Sequence, residues 1–331
     1  MLTRRSLMIA PLLVPASGAY AVGVEPLLLT GVTRYVVRPQ SWTAGLRVRI
    51  AVISDIHACE PWMDVERIEH IVHRTNALGA DLIVLLGDYV AGHDKITAIV
   101  PEDDWAQALG ALRASLGVYA ILGNHDWWAD KIAQLRRRGP VAAQLALERA
   151  GIPVLENDSV RLVKDGRTFW IAGLGEQQAL RPDRFGPRGL MSGVDDLDAT
   201  LAAVPERAPV VLLVHEPDIF PRVSERVSVT LAGHTHGGQV RLFGTAPFAP
   251  SLLSRVYCYG QFLENGRHMI VSAGLGCSWW PIRFGVPPEI VVVEISAPTT
   301  ETLGEPVAGE PELQALTEPA RIARSAHKSS N

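Results

Sequence analysis

LRVRIAVISDIH, residues 46–57, joins an apolar run to two side chains that commonly bind metals. The run at residues 46–53 is short and rich in Val and Ile, which is typical of a largely buried β-strand. Asp55 and His57 follow at the end of this predicted strand. We therefore expect a strand whose carboxyl end carries chemistry, held in place by the sheet behind it.

Two further predicted strands end in the same way. A helix leads to the first of them, because residues 64–78 have apolar side chains near helical spacing and Gly79 stops the pattern. The two strands are residues 81–86, which run into Gly87-Asp88, and residues 118–122, which run into Gly123-Asn124-His125-Asp126. Strands that alternate with helices predict an α/β fold whose ligands gather at the strand ends.

The second half of the chain continues this arrangement, and no internal repeat of fixed period is found. Its predicted strands are residues 169–173, residues 210–214, which end at His215, and residues 228–232, which end at Gly233-His234-Thr235-His236. Between the halves, residues 181–193 are rich in Arg, Gly and Pro. This composition predicts a surface loop near the mouth of the site.

Seven of these side chains form a candidate metal site: Asp55, His57, Asp88, Asn124, His215, His234 and His236. They offer oxygen and imidazole nitrogen atoms and no thiolates, which suits Mn, Zn or Fe better than a soft copper site. Seven ligands exceed the needs of one ion, but they divide between two ions about 3.5–4 Å apart if Asp88 bridges them. His125 would then be free of metal and available as a proton donor. Each motif alone is common by chance, and their order along the chain makes the set specific.

Composition limits the classes of function. The 331 residues are 47% hydrophobic and 20% charged, with a formal net charge of −4, as in ordinary globular proteins. Without a clustered Lys/Arg surface, nucleic acid is not an expected partner. Three cysteines, Cys59, Cys258 and Cys277, exclude a disulfide framework. Cys59 either lines the metal site or is a buried bystander.

The two ends of the chain differ in composition from the domain between them. Residues 1–30 predict a signal or anchor: Arg4-Arg5 is similar to a twin-arginine export signal, residues 7–14 are apolar, and Ala19-Tyr20-Ala21 is a cleavage pattern. We expect export to the periplasm or cell envelope, or an inner-membrane anchor if the segment is not cleaved.

Residues 298–331 predict a disordered tail, with a short docking helix at 310–323 as the alternative. The domain itself is expected at residues 31–297.

The order of these motifs resembles that of the calcineurin-like metallophosphoesterase superfamily. The resemblance spans residues 46–295 and fills every ligand position of that pattern, from D-x-H through G-D, G-N-H-D and a lone His to G-H-x-H. The GHTHGGQ spelling, the closing PIRFGVPPEIVVVEI and the paired arginines are similar to the bacterial branch of YkuE- or YaeI-type phosphoesterases.

The resemblance implies an α/β fold that is a four-layer α/β/β/α sandwich, with two mixed β-sheets and a dinuclear metal site at the strand ends. By position, one divalent ion would be held by Asp55, His57, Asp88 and His236, and the other by Asp88, Asn124, His215 and His234. A hydroxide between the ions would attack the phosphorus atom. His125 would protonate the leaving group, and Asp126 would orient its imidazole.

The resemblance therefore implies a metal-dependent phosphoesterase that hydrolyses a phosphodiester or pyrophosphate bond in a small-molecule or lipid-linked substrate, such as UDP-2,3-diacylglucosamine. A rim that holds the rest of the substrate is one interpretation of the residues near the motifs, and core packing is the other. These residues are Trp127, Trp128, Trp279, Trp280 and Arg283. The alternative functions are a protein or small-molecule phosphomonoesterase and a non-catalytic metal-bound scaffold. The sequence predicts no oligomeric state.

Overall fold

Two mixed β-sheets form the centre of the computed structural model, which describes residues 18–182 and 191–298. The strands in these residues are β1 Gly31–Val37, β2 Arg47–Ile53, β3 Cys59–Glu60, β4 Leu82–Leu85, β5 Ala98–Ile99, β6 Val118–Ala120, β7 Asp158–Lys164, β8 Arg167–Gly173, β9 Val210–Leu213, β10 Val229–Ala232, β11 Gly260–Glu264, β12 Arg267–Val271 and β13 Glu289–Ser296. The first sheet has the order β1-β13-β2-β4-β6, and the second has the order β11-β12-β10-β9-β8-β7. Strands β3 and β5 form a separate small pair.

Each sheet contains a set of neighbouring parallel strands. In the first sheet β2, β4 and β6 are parallel to one another, and in the second β8, β9, β10 and β12 are parallel. These are the apolar runs from which the sequence predicts the sheet, except β12, which was not predicted. Because parallel strands end at the same edge, the loops that follow them are brought together.

Helices cover the outer faces of the sheets. They are α1 Glu25–Leu28, α2 Val65–Asn76, α3 Glu102–Leu109, α4 Asn124–Ala129, α5 Lys131–Arg136, α6 Ala142–Arg149, α7 Leu197–Ala202 and α8 Leu252–Val256, with a π-helical turn at Tyr20–Val24 and 3₁₀ turns at Pro217–Arg222 and His236–Gly238. The predicted helix at residues 64–78 is α2. It begins where the Asp64 carboxylate accepts the backbone N–H of Arg67 at 2.8 Å.

Three apolar layers hold the sandwich together. Along β2, Ile50 and Val52 face the layer between the two sheets, whereas Ala51 and Ile53 face the layer under α2, α3 and α6. The third layer lies outside the second sheet and includes Leu201 of α7. The predicted four-layer α/β/β/α sandwich is thereby confirmed.

The folded structure extends upstream of the predicted domain start at residue 31. The backbone N–H of Arg283 donates to the Ala21 carbonyl at 2.9 Å, and the Glu25 carboxylate accepts the N–H groups of Gly285 and Val286. Three stretches lie outside the described residues: residues 1–17 of the predicted signal or anchor, residues 183–190 of the predicted surface loop, and residues 299–331 of the predicted tail. Within the described ranges, no helix has the length and apolar character needed to cross a membrane.

Candidate metal centre

The seven predicted ligands come from loops at the ends of parallel strands. Four follow strands of the first sheet, and three follow strands of the second. All seven side chains are buried. The first four are Asp55, His57, Asp88 and Asn124, and the other three are His215, His234 and His236. The candidate centre therefore lies where the corresponding edges of the two sheets meet.

One cluster consists of Asp55, His57 and His236. One potential ligand atom from each residue lies within 4.8 Å of the others. The Nε2 atoms of His57 and His236 are 3.1 Å apart, and Nε2 of His236 is 3.5 Å from Oδ1 of Asp55. This cluster brings together two loops that are about 180 residues apart in the sequence.

A second cluster consists of Asp88, His215 and His234, again with potential ligand atoms within 4.8 Å of one another. The side-chain oxygen of Asn124 joins it, at 3.2 Å from Nε2 of His215 and 3.0 Å from Nδ1 of His234. The membership of both clusters agrees with the division of ligands that the family resemblance implies.

Asp88 lies between the two clusters. Its Oδ2 atom is 3.5 Å from Nε2 of His57 in the first cluster and 3.3 Å from Nε2 of His215 in the second. Its other oxygen, Oδ1, accepts the backbone N–H of His125 at 2.9 Å. Asp88 is thus placed where a bridging carboxylate is needed.

The donor set fits two divalent cations. Neighbouring ligand atoms in the two clusters are 3.0–3.5 Å apart. Ligands about 2.0–2.2 Å from a common ion are separated by roughly that distance in tetrahedral or octahedral geometry. In His57 and His215, Nδ1–H donates to the backbone carbonyls of Val90 and Leu86, which leaves Nε2 to face Asp88.

The backbone around the centre is held in an uncommon conformation. Five of the seven ligands are non-glycine residues with positive φ: Asp55, His57, Asp88, His234 and His236, with φ between 48° and 69°. Bulky residues rarely adopt this left-handed region, and such strain is concentrated at functional sites. At Gly123, a Cβ atom would lie 2.7 Å from Cε1 of His215 and would also overlap Oδ1 of Asp88. Only glycine therefore fits this position.

Burial sets the charge of most ligands in the metal-free protein. It lowers the pKa of His57 to about 3 and that of His234 to about 3, so both rings are neutral ligands at pH 7. Burial also raises the pKa of Asp55 to about 6. For His215, burial lowers the pKa, but the Asp88 carboxylate more than offsets this and raises it well above the ordinary value.

His125 lies beside the clusters and belongs to neither. Its half-buried ring packs edge-on against the His57 ring, with 4.9 Å between the ring centres, and lies 5.2 Å from the Trp128 ring. Nε2 of His125 is 3.4 Å from the hydroxyl of Ser278. Burial lowers the pKa of His125, and the nearby His215 and Arg181 lower it further against the opposing effect of Asp88. This imidazole is positioned to exchange a proton with a bound substrate.

The predicted role of Asp126 requires correction. Its carboxylate does not hydrogen-bond the His125 imidazole in the described structure; it accepts backbone N–H groups instead. Oδ2 accepts from Asp88 and Gly123 at 2.9 Å each, and Oδ1 accepts from Tyr89 at 2.8 Å and Val90 at 3.3 Å. Asp126 therefore ties the loop after β6 to the loop after β4, and this fixes Asp88 in place.

The predicted rim is only partly correct. Trp127 and Arg283 are fully buried, so neither can touch a substrate at the mouth of the site. The Arg283 guanidinium donates to three backbone carbonyls, and its Nη2 atom lies 3.4 Å from Nδ1 of His236. The rim that remains has Trp128 under the Arg181 guanidinium at 4.9 Å, and the exposed pair Trp279 and Trp280.

Two serine hydroxyls at the site could not be located from the sequence. The Ser54 hydroxyl donates to the Asp55 carboxylate, and the Ser278 hydroxyl approaches His125. Neither serine belongs to a recognisable motif. Cys59 lines a small cavity that His57 also lines, but burial raises the pKa of its thiol to about 11. Cys59 is therefore a neutral neighbour of the site in the metal-free protein.

The family model for calcineurin-like phosphoesterases matches residues 48–238, which are more than half of the 331 residues. The chain belongs to the calcineurin-like phosphoesterase family. This phosphoesterase is accordingly a hydrolase with a dinuclear divalent metal site, and the two clusters joined by Asp88 provide that site.

Curated relatives are named metallophosphoesterases. The phosphoesterase is 29% identical over 254 residues to the uncharacterized metallophosphoesterase YkuE of Bacillus subtilis, covering 75% of this chain and 79% of the relative. It is 28% identical over 267 residues to an uncharacterized metallophosphoesterase of Aquifex aeolicus, covering 80% and 91%. Among solved structures, a dimetal phosphatase from Danio rerio is 14% identical, with a TM-score of 0.37, over 71% of this chain and 89% of that one.

Proposed function

We propose that this phosphoesterase hydrolyses phosphodiester or pyrophosphate bonds, in which a second group is attached to the phosphate under attack. The proposal rests on a series of contacts that leads outward from the metal ligands, from Asp88 through His125 and Trp128 to Arg181. We call the Arg181 guanidinium at its outer end the cationic arm. When bound, two divalent cations would acidify a water molecule and neutralise charge on the phosphoryl group. The protein side chains supply the remaining functions.

His125 would protonate the leaving oxygen. Its backbone N–H donates to Asp88, so the main chain of His125 is held beside the bridging carboxylate. The ring lies outside both ligand clusters, and its Nε2 atom faces a hydroxyl at 3.4 Å and not a carboxylate. A diester or pyrophosphate leaving group benefits from this proton, because its oxygen would otherwise depart with a full negative charge.

Arg181 would bind the group on the leaving side. Its guanidinium stacks on the Trp128 ring at 4.9 Å, and that ring is 5.2 Å from the His125 ring. Stacking fixes an arginine without consuming its N–H donors, which remain available to bind an anion. A second phosphate, as in a nucleotide sugar such as UDP-2,3-diacylglucosamine, fits this arm. A simple monoester has no anion at that position.

A paired assay tests this proposal. With Mn²⁺ supplied, we expect faster turnover of bis(p-nitrophenyl) phosphate than of p-nitrophenyl phosphate. We also expect Arg181→Gln to raise KM for a nucleoside diphosphate sugar by about tenfold while KM for bis(p-nitrophenyl) phosphate stays unchanged. Arg161→Gln, which changes an exposed arginine on β7, is the matched control.

The other outcomes of the assay support different functions. Turnover of the monoester alone would assign a phosphomonoesterase, acting on a protein or a small molecule. No turnover of any ester by protein shown by elemental analysis to contain two ions would assign a metal-bound scaffold. The same elemental analysis identifies the metal among Mn, Zn and Fe.

We further propose that the protein is exported or held at the inner membrane. The support is in the sequence of residues 1–17, with Arg4-Arg5 before the apolar residues 7–14. We expect Arg4→Lys combined with Arg5→Lys to leave the protein in the cytoplasmic fraction of a host with the twin-arginine pathway. Unchanged distribution between the fractions would contradict a twin-arginine route.

A further inference from the structure

Large apolar side chains are concentrated in three segments beside the metal centre. Of the twenty exposed large hydrophobic residues among the described residues, twelve lie in residues 18–29, 239–256 and 276–288. We name six of them, all more than half exposed, the apolar surface: Leu28, Phe243, Phe248, Leu252, Trp279 and Trp280. Soluble proteins rarely concentrate apolar side chains in this way without a function.

Hydrogen bonds hold the three segments side by side. The backbone N–H of Arg283 donates to the Ala21 carbonyl, which joins the third segment to the first. The backbone N–H of Arg241 donates to the Phe284 carbonyl, which joins the second segment to the third. The Gln239 side chain also donates to the carbonyl of Trp280 at 2.9 Å. The six side chains therefore project from one connected part of the molecule.

Two of the three segments adjoin the metal centre. Residues 239–256 begin three residues after the ligand His236, and Trp279 follows Ser278, whose hydroxyl lies 3.4 Å from His125. A surface that covered this face would lie next to the substrate's route to the metal centre.

The Phe243 ring packs against nothing within the described residues. It occupies a two-residue turn closed by hydrogen bonds in both directions between Leu242 and Thr245, with φ of 51°, and its side chain is fully exposed. Asn or Gly normally occupies such a position, because a bulky side chain is strained there. An exposed and strained phenylalanine gains stability only if something apolar receives its ring.

The charges of the three segments fit a lipid surface. Glu25 is the only acidic residue in them, and it is buried, with its carboxylate bound to the N–H groups of Gly285 and Val286. Arg255 is exposed within the segments, beside Leu252. Outside them, Lys95 lies over the Trp280 ring at 5.3 Å and pairs with the exposed carboxylate of Asp94 at 2.9 Å. Exposed aromatic rings, cations and no exposed carboxylate are the features of segments that lie in the headgroup region of a bilayer.

The position of the apolar residues near the start of the chain agrees with a lipid surface as the partner. The apolar residues 7–14 precede Gly18, with which the first of the three segments begins. We propose that the apolar surface docks onto the headgroup region of a lipid bilayer, so that the metal centre opens toward the membrane. Insofar as this names a substrate, it rests on the proposed function: the phosphoester would be an amphiphile whose headgroup lies at the membrane surface.

A fluorescence experiment on the full chain tests the docking without using activity. Thr245→Cys places a thiol in the exposed Phe243 turn, and the three natural cysteines are buried. This thiol is labelled with the polarity-sensitive dye NBD, and vesicles of phosphatidylethanolamine and phosphatidylglycerol are added. We expect a blue shift, at least about a twofold rise in emission, and quenching by spin-labelled lipid. NBD at Glu206→Cys, an exposed site in the loop after α7, should not respond.

Paired variants measure the contribution of the surface. We expect Phe243→Ser combined with Trp279→Ser to lower the vesicle partition coefficient by about tenfold or more. Leu263→Ser with Val163→Ser removes exposed apolar side chains of β11 and β7, outside the apolar surface, and should change it by less than about twofold. Residues 1–17 are the same in all of these proteins, so their own affinity for lipid cancels.

Four results would overturn the proposal. The protein could fail to float with vesicles, or float while NBD at residue 245 does not respond. NBD could be shielded equally with and without vesicles in a monomer, which would mean that residues 1–17 cover the surface. It could also be shielded only as a dimer forms in sedimentation velocity, which would assign a second copy as the partner. None of these depends on hydrolysis, so failure here is separable from failure of the proposed reaction.

Discussion

The His125 imidazole lies against the His57 ring but outside both ligand clusters, so its contribution can be separated from metal binding. We expect His125→Ala to retain about two metal ions per chain and to lower kcat by roughly two orders of magnitude or more, because proton transfer to the leaving group is lost. Elemental analysis together with steady-state kinetics measures both quantities.

The matched control for this change is His70→Ala, which removes an exposed imidazole on α2. It should leave metal content and kcat unchanged. Loss of metal by the His125 variant, with normal turnover per bound ion, would make His125 a structural neighbour of the ligands and not a proton donor.

Protonation of His215 predicts different pH dependence for the two clusters. The Asp88 carboxylate outweighs the effect of burial and raises the pKa of His215 well above its ordinary value, so in the metal-free protein this ring is charged at neutral pH. A cation at the second cluster must displace that proton, and its affinity should rise about tenfold per pH unit until the pKa is reached. In the first cluster His57 has a pKa of about 3 and Asp55 of about 6, so both are deprotonated above pH 7.

Calorimetric titration with Zn²⁺ at several values between about pH 7 and pH 8.5 tests this. We expect one binding step that releases a proton and strengthens with pH, and a second that is nearly independent of pH. Two steps of equal pH dependence would show that Asp88 does not hold the charge of His215 in this way.

At the level of single residues, the sequence identified the metal ligands. It did not show which of the side chains beside them are buried and which face the mouth of the site. The ligands could be predicted because each follows an apolar run, and the ends of parallel strands meet in space. Trp127 and Trp128 are adjacent, and consecutive helical residues face about 100° apart, so one is buried and the other lies at the rim. No local pattern indicates which of them is buried, and the same holds for Arg283 and Asp126.

The contact between the loops after β4 and β6 determines where Asp88 lies. Gly123 sits between Asp88 and His215, and a Cβ atom there would overlap both side chains. We expect Gly123→Ala to weaken metal binding by about tenfold or more and to lower Tm, since the bridging carboxylate must move. Metal titration and thermal unfolding, with and without metal, measure the two effects.

Gly31→Ala in β1 provides the comparison. The nearest atom to a Cβ there is the Pro288 carbonyl oxygen at 3.8 Å, an ordinary contact, and its φ is not positive. This variant should bind metal normally. Normal metal affinity in Gly123→Ala as well would mean that the two loops can separate without disturbing Asp88.

At the level of elements, the sequence predicted the central strands better than the edge strands. Strands β4, β9 and β10 are buried along their whole length and read as continuous apolar runs. Strands β7 and β11 lie at the two opposite edges of the second sheet, where most of their side chains are exposed or half-buried. Their mixed polarity gave no strand signal. The sequence does not predict β1, whose partner β13 is almost 260 residues away along the chain.

The whole molecule should depend on its metals for stability. Four of the ligands come from the first sheet and three from the second, so bound cations would cross-link the two halves of the sandwich. At a cation concentration about a hundredfold above Kd, each ion would add about 2.7 kcal/mol to the free energy of unfolding. We expect a chelator to lower Tm by roughly 5–15 °C.

Thermal unfolding with EDTA and with Mn²⁺ or Zn²⁺ measures this dependence. An Asp88→Asn variant, which weakens both clusters at once, should show a smaller difference between the two conditions. Equal Tm values for wild-type protein that contains two ions and protein that contains none would argue against a cross-link between the sheets.

The insertion of β13 between β1 and β2 has a consequence for synthesis on the ribosome. Strand β1 pairs only with β13 in the first sheet, and β13 also provides Val291 and Val293 to the layer between the sheets. A nascent chain that ends before residue 289 therefore has an unpaired first strand and an open edge on β2. The sandwich can close only after translation of nearly the whole domain, so the chain needs protection from aggregation until then.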